Sequence, residues 1–581
     1  MAKTKVTLSP NAQKVAESRY FMEGETWDGC CQRVARLISS VERKNQSFYF
    51  DSFYEMIYNR DFLPAGRILR NCGRPRGTLF NCYHLPCGDS IEEIAKFMND
   101  ALILWADGGG VGCNFSLLRP KGDSILGKGG RSSGLVSFIK AADGLAETIE
   151  SGGARRAAAL ASVEVSHPEV CEFIDAKLEH GKLPHFNISV VIDEEFLYAV
   201  EQDKDWTFKF KQRSYGSMKA RDIWDKIITN MIKCAEPGLL NWDCLKKNNS
   251  YYYDPVSGTN PCGEAVLAPY DVCNLGSLVL PNFITGNIYT NWKKLEGVVE
   301  LAVRFLDNVI DVNKYSLKEI DIKAHNSRRI GVGVMGLAEY LFAKKLRYGS
   351  QKSLEETEKV MRAIRDTIYR TFVKLADEKG AFPKFDKSNY VNASFVRKLP
   401  GDLRLDIKNH GSRCVTGMAV APTGTISLLA DVTSGIEPLF SKAYIRKDRV
   451  GERIYVHPIY EQFLLSGEEI PDWFVDSFDL EPKDHFNIQA AVQRYVDGAV
   501  SKTINMPAGT TPQQLSDLLL EYIKELKGVT VYVDGVRYGQ IYNKMDRDTV
   551  LKYLKDNGKK TDHSLSESDI VCPLSDNSCG A

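Results

Sequence analysis

The sequence predicts an α/β protein built on largely parallel strands and preceded by a helical N-terminal region. Short apolar runs, Ile188 to Ile192, Leu278 to Leu280, Met418 to Ala421 and Gly528 to Val533, alternate with longer helix-like patterns such as Glu356 to Lys379. That order is expected where strands are joined by crossover helices. Before them, from about Ser9 to Arg70, apolar residues recur three and four apart, as in Cys31, Val34, Ala35, Leu37 and Ile38, which sets them on one helix face. Pro64 and Gly66 punctuate the change of pattern. The expected division is a helical region over residues 1–70, an α/β body over 71–545 and a C-terminal tail over 546–581, whose end from Lys559 is rich in Lys, Asp and Ser with little periodic apolar content.

Composition narrows the function classes. A chain of 581 residues exceeds one ordinary core and calls for several domains or one large barrel with appendages. At 43% hydrophobic and 26% charged it reads as a globular protein. Lys plus Arg and Asp plus Glu balance at 75 each, so neither nucleic acid nor an anionic membrane is an expected partner and any phosphate site is local. The opening Met1 to Pro10 lacks a signal-peptide core, and no run approaches the ~18 apolar residues of a membrane span. A cytoplasmic protein with reduced thiols is expected. Most of the 14 cysteines, Cys30, Cys31, Cys171, Cys234, Cys244 and Cys414 among them, then read as small hydrophobes.

The sharpest local feature is Asn260-Pro261-Cys262-Gly263-Glu264. In an extended loop alternate side chains face one way, so an amide, a thiol and a carboxylate can converge on one ligand; the other reading is a Pro-Gly turn with incidental polar residues. The segment Pro422-Thr423-Gly424-Thr425-Ile426-Ser427 reads either as a polar glycine turn or as a loop whose backbone N–H groups and hydroxyls hold phosphate. Asp89-Ser90 carries a helix N-cap signal. Gly331-Val332-Gly333-Val334-Met335-Gly336 satisfies a dinucleotide fingerprint. Its glycines, however, lie inside a β-like run rather than after one, and that argues against a dinucleotide site.

Taken together, these segments resemble the ribonucleotide reductase family. Asn260 to Glu264 resembles its active-site finger loop; Cys273-Asn274-Leu275-Gly276-Ser277-Leu278 and Phe80-Asn81-Cys82, with Gly88-Asp89-Ser90, match in order; Gly152-Gly153-Ala154-Arg155-Arg156 and Ala421 to Ser427 resemble the specificity and phosphate loops. The resemblance spans nearly the whole chain. It implies a ten-stranded α/β barrel of two five-stranded halves with the finger loop inside, and a thiyl radical on Cys262 that removes the 3′-hydrogen of the ribose. Glu264 is implied as general base, Asn260 as the residue orienting the sugar, and Cys82 and Cys273 as the pair that supplies reducing electrons and ends as a disulfide. Asn81 and the loop Pro422, Thr423, Gly424, Thr425, Ile426 and Ser427 are implied in substrate binding. Asp89, Arg155 and Arg156 are implied in binding dNTP or ATP specificity effectors at a homodimer interface. Cys572 and Cys579 are implied as a redox shuttle served by a thioredoxin- or glutaredoxin-type reductant, although the six residues between them exceed the usual family spacing. With His563 they make a poor zinc set, and no metal site is predicted.

Within the family, the diiron-dependent class relays its radical through two adjacent tyrosines, whereas Lys527 to Gly535 holds Tyr532 alone. The chain ends Ser578-Cys579-Gly580-Ala581, unlike the glycyl-radical class. The form of Lys527 to Gly535 resembles the cobalamin-dependent enzymes, which implies adenosylcobalamin as cofactor; ribonucleoside diphosphates are the expected substrates, with the choice between di- and triphosphates left open by the sequence. No Asp-x-His-x-x-Gly motif is present, so the cofactor is expected to keep its own base on cobalt. The short N-terminal region leaves no room for an ATP-cone, and specificity control without shut-off by dATP is expected. The alternatives are a diiron-class subunit that needs a separate radical-generating partner, and a nucleotide-binding regulator that has lost catalysis.

Overall fold

The computed structural model describes residues 6–125, 129–151, 155–179, 181–250, 253–286, 288–448, 451–534 and 542–556. At the N-terminus, helices α1 (Pro10–Arg19), α2 (Trp27–Ser39) and α3 (Gln46–Tyr58) form the expected helical layer. Ser9 and Thr26 start the first two by accepting backbone N–H bonds from Ala12 and Gly29. The face of α2 that the spacing marks out is the buried one: Cys31, Val34, Ala35 and Ile38 are fully enclosed.

The ten strands of the central sheet are, in chain order, β1 (Phe62–Pro64), β2 (Cys82–His84), β3 (Gly110–Asn114), β4 (Ala159–Glu164), β5 (Phe186–Ile192), β6 (Gly238–Asn241), β7 (Val272–Val279), β8 (Ile330–Met335), β9 (Thr503–Met506) and β10 (Gly528–Val533). Strands β2 to β6 pair in parallel, each with the next. The pairs β7–β8 and β9–β10 are parallel too. Single parallel bridges Val332–Met418 and Val420–Val500 join β8 through residues 418–420 to the chain entering β9. The two halves meet antiparallel at β2–β7 and at β6–β10. The strands therefore close on themselves, five to a half, with 418–420 as one staff and β1 an outside addition to β7. This is the α/β barrel the sequence predicts.

Side chains alternate across the wall with period two. Val529, Val531 and Val533 of β10, like Ile188, Val190 and Ile192 of β5, join the large core under the helices, while Leu160, Val191 and Leu240 form a smaller cluster with Val266. Gly331 and Gly333 of the fingerprint-like run lie on β8, where a Cβ on Gly331 would meet Ala419 and the Cys273 sulfur. Their role is to let strands and thiol approach, not to bind a dinucleotide.

Three boundaries differ from expectation. The strand expected at Leu278–Leu280 runs from Val272 to Val279, and Leu280 opens a 3-10 turn; its polar members Cys273, Asn274 and Ser277 disguised it. The helix expected from Glu356 begins at Gln351, because Ser350 caps it by accepting the Ser353 N–H. The tail boundary at 546 is corrected: Arg547–Asp556 is a helix whose Val550 and Leu554 are buried against Phe342 and Phe474. Among the described residues no helix is long and apolar enough to cross a membrane.

Candidate active site

Gly258–Thr259 pairs antiparallel with Val266–Leu267, making a hairpin whose tip carries Asn260 to Ala265. The barrel wall accepts this hairpin because β3 presents glycine inward: a Cβ on Gly112 would lie 1.8 Å from the Thr259 carbonyl oxygen, and one on Gly110 3.1 Å from the Pro261 ring. From the second half Ala499 donates its N–H to the Glu264 carbonyl at 2.7 Å. Asn187 of β5 reaches the Pro261 carbonyl at 3.5 Å. Gly263, at φ 80°, supplies the left-handed residue that turns the chain between Cys262 and Glu264.

Inside the barrel the expected residues come together. Asn260 Nδ2 donates to Cys82 Sγ at 3.1 Å while its Oδ1 accepts the Ala265 N–H at 2.9 Å, so one side chain holds both thiol and loop. The Cys82 thiol donates to Glu264 Oε1 at 3.5 Å. Cys82 and Cys273 are partners in the antiparallel β2–β7 register, and opposed residues in such a ladder have Cα atoms about 4.5–5.5 Å apart, within the span of a disulfide. Cys262 is half-buried at the loop tip, whereas Asn260 and Glu264 are enclosed.

Burial sets the electrostatics. It pushes the Cys82 thiol well above the usual range, with the neighbouring Glu264 carboxyl adding to the shift, and it pushes Cys273 up against the opposing charge of Arg329. Both are therefore protonated thiols at rest. Burial likewise raises the Glu264 carboxyl, and bonds from Asn260 and Cys82 pull it back only in part. Glu264 Oε2 and both amide atoms of Asn81 are buried and meet no partner among the described residues. Buried polar atoms left this way cost roughly 1–3 kcal/mol each, a debt that a sugar or nucleobase in the cavity would discharge.

The phosphate-loop candidate is built differently from expectation. Thr423, at φ 54°, takes the Gly435 N–H on its hydroxyl at 2.8 Å, and the Ser427 hydroxyl meets that of Ser434 at 3.0 Å. These hydroxyls tie the loop to the segment that follows it. Thr425 receives the Tyr20 hydroxyl at 2.6 Å, tying the loop to the N-terminal helices. Pro422 and Thr425 are its half-exposed edge; Gly424 and Ile426 are buried.

At the effector candidate, Ser90 caps the helix Ile91–Asp107 in a capping box with Glu93, and Asp89 is left for cations. Asp89 accepts Arg119 Nε at 3.0 Å and Lys211 Nζ at 3.2 Å. Burial would raise its carboxyl, but these bonds outweigh it and hold it below the usual range. Arg155–Arg156 pairs as a short strand with Glu150–Ser151. Residues 126–128 and 152–154 and the shuttle candidates Cys572 and Cys579 lie outside the described residues.

Sequence reasoning missed the inward glycines of β3. Gly110-Val111-Gly112 repeats the alternation seen in Gly331-Val332-Gly333, and glycine at every second strand position was the available signal. It also missed Asp497 and Lys527, buried behind the finger loop.

Comparison with known proteins agrees with this geometry. The model of the ribonucleotide reductase barrel domain matches residues 80–532, and that of the ribonucleotide reductase all-alpha domain matches residues 6–77. The chain belongs to the ribonucleotide reductase family. Among its reductase relatives, the vitamin B12-dependent ribonucleoside-diphosphate reductase of Mycobacterium tuberculosis is 35% identical over 92% of this chain and 80% of its own. The protein of the same name from Thermoplasma acidophilum is 36% identical over 92% and 72%. A ribonucleoside-diphosphate reductase subunit alpha from Chlamydia trachomatis is 26% identical over 86% of this chain and 56% of its own.

The inward wall of this reductase beside the finger loop carries polar groups of the kind a bulky polar cofactor needs. Asn187, Ser189, Gly238 and Thr530 share the inward face next to Cys262: a Cβ on Gly238 would lie 3.0 Å from Ser189 Oγ and 3.8 Å from Thr530 Oγ1. Thr530 is nonetheless exposed and Tyr532 half-exposed, so the hydroxyls of this face remain accessible.

Proposed function

We propose that this chain reduces ribonucleoside diphosphates to 2′-deoxyribonucleotides through a thiyl radical on Cys262, as a cytoplasmic, adenosylcobalamin-dependent enzyme. The observation that carries the reading is the meeting of Asn260, Glu264 and Cys273 at Cys82, at the foot of the Cys262 loop. The printed names of the relatives point to the same substrates and to vitamin B12. Asn187, Ser189, Thr530 and Tyr532 are the residues that would hold adenosylcobalamin, and the bound group supplies the radical that Cys262 carries.

Each side chain then has a task suited to its surroundings. Cys262, at the loop tip, takes the 3′-hydrogen of the ribose. Glu264 accepts the 3′-hydroxyl proton on a carboxylate already desolvated, where it is a stronger base than in water. Asn260 and Asn81 hold the sugar. The protonated Cys82 thiol gives the proton with which the 2′-hydroxyl leaves as water; Cys82 and Cys273 together give two electrons and close as a disulfide. Returning the 3′-hydrogen regenerates the Cys262 thiyl. The enclosing wall keeps water and oxidants from the radical.

The proposal includes four further parts: capture of the substrate phosphates by the loop Pro422 to Ser427 through backbone N–H groups between its ends; dNTP effectors read at Asp89, Arg155 and Arg156 across a homodimer; re-reduction of the disulfide through Cys572 and Cys579; and a thioredoxin- or glutaredoxin-type protein as the final donor. The test is to incubate the purified chain with CDP, a dNTP effector and dithiothreitol, with and without adenosylcobalamin, and to measure dCDP. Product that requires the cofactor is the expected result. Product that appears only when a separate metalloprotein subunit is added would overturn the cobalamin assignment.

A further inference from the structure

Behind the finger loop lies a second buried polar cluster that the reaction chemistry leaves unused. Asp497 and Lys527 are each 1% exposed, a placement that is unfavourable unless such groups are fully bonded. They are bonded, and nearly all to backbone. The Asp497 carboxylate accepts N–H bonds from Gly417 at 2.7 Å, Met418 at 2.8 Å and Gly498 at 2.9 Å, and the Tyr369 hydroxyl at 2.7 Å. Lys527 Nζ donates to the carbonyls of Asp497 and Gly498, both at 2.7 Å. Residues 497–499, held at these anchors, grip the active site: Gly498 N–H bonds the Met418 carbonyl at 2.9 Å, and Ala499 N–H bonds the Glu264 carbonyl at 2.7 Å. Gly498 is glycine because a Cβ there would lie 2.5 Å from the Met418 oxygen and 2.9 Å from the Glu264 oxygen.

We infer that Lys527 is a positioning residue, which with Asp497 clamps residues 497–499 and through the Ala499–Glu264 bond fixes the base-bearing end of the finger loop. The hydrogen bonds from the cluster to the active-site segment run through backbone, so its influence on Glu264 falls on geometry; the Asp497 charge also helps to keep the Cys273 thiol protonated. A charged ammonium bonds the two carbonyls more strongly than a neutral amine does. Burial lowers the Lys527 ammonium to about 7, with Asp497 and Cys244 supporting the charge and Lys398 and Arg329 opposing it. The clamp therefore tightens below neutrality and slackens above it, and the placement of Glu264 follows.

This rests on the proposed reductase activity, and wild-type turnover separates the two ideas: no dCDP from wild type sinks the activity reading. Given turnover, the wild-type kcat is expected to fall as pH rises through about 7. In Lys527→Met, kcat is expected to drop about ten- to a hundredfold, the scale of a small misplacement of a catalytic group, with KM for CDP unchanged and that limb of the pH profile gone. Lys527→Arg, whose charge does not titrate in this range, should recover kcat above the Met variant and show a flat profile. A wild-type profile with no kcat limb near 7 overturns the inference, as does a Met or Arg variant that keeps it. Should Lys527→Met fail to fold, the wild-type and Arg profiles decide.

Discussion

Cys82 and Cys273 are directly opposed across the antiparallel junction of β2 and β7, each on the inward side of its strand. Such a pair forms a disulfide without moving backbone. With Cys572 and Cys579 both replaced by serine, one turnover by reduced enzyme without external reductant is expected to leave that disulfide and one equivalent of product. Peptide mapping without reduction checks it. Cys273→Ser should give no bridge and lower steady-state turnover by about a thousandfold or more.

Glu264 predicts opposite effects on activity and stability. Its folded-state carboxyl is raised by burial, so the fold favours the protonated form. That contribution is present at low pH and lost as pH rises through the raised folded-state value. Glu264→Gln, uncharged at every pH, is therefore expected to be more stable than wild type near neutrality by about 0.5–2 kcal/mol, to lose this advantage in acid, and to lack turnover. Thermal melts at pH 4 and 7.5 with a product assay test both halves.

The close approach at Gly112 makes it the most sensitive glycine of the barrel wall. A methyl group 1.8 Å from the Thr259 oxygen must push the hairpin inward. Gly112→Ala is expected to destabilise the protein by about 1–3 kcal/mol and to reduce kcat about a hundredfold. A soluble, folded variant with unchanged kcat would show that the loop's position is not set by this wall.

Tyr20 connects the N-terminal helices to the phosphate-loop candidate through the Thr425 hydroxyl. Tyr20→Phe removes one hydrogen bond, about 1 kcal/mol. If the loop holds the substrate's phosphates, KM for CDP should rise several-fold while kcat stays near wild type. Steady-state kinetics at saturating effector measure the split.

The reading from sequence succeeded where one physical signal dominated. The buried face of α2, the strands Ile188–Ile192 and Gly528–Val533 and the α/β alternation all follow from burial periodicity alone. The finger-loop residues were legible through the resemblance of Asn260 to Glu264; the extended loop that their alternation suggested is instead a turn, with Gly263 at φ 80° between Cys262 and Glu264. What failed to show depended on partners distant in sequence. Residues 418–420 look like a strand but make only single bridges, to Val332 and Val500. The Thr423 and Ser427 hydroxyls look available for phosphate until Gly435 and Ser434 are seen to claim them. Val550 and Leu554 give too few apolar positions to announce a helix until Phe342 and Phe474 supply the other side.

The antiparallel junction has one more consequence. Cys82 belongs to the first parallel half of the barrel and Cys273 to the second, so neither half contains a reducing pair by itself. The dithiol comes into being only when the halves dock, and the same docking closes the wall around Cys262. Assembly and chemical competence are thereby coupled: the wall that shields Cys262 and the proposed dithiol that completes a reduction form in the same docking step.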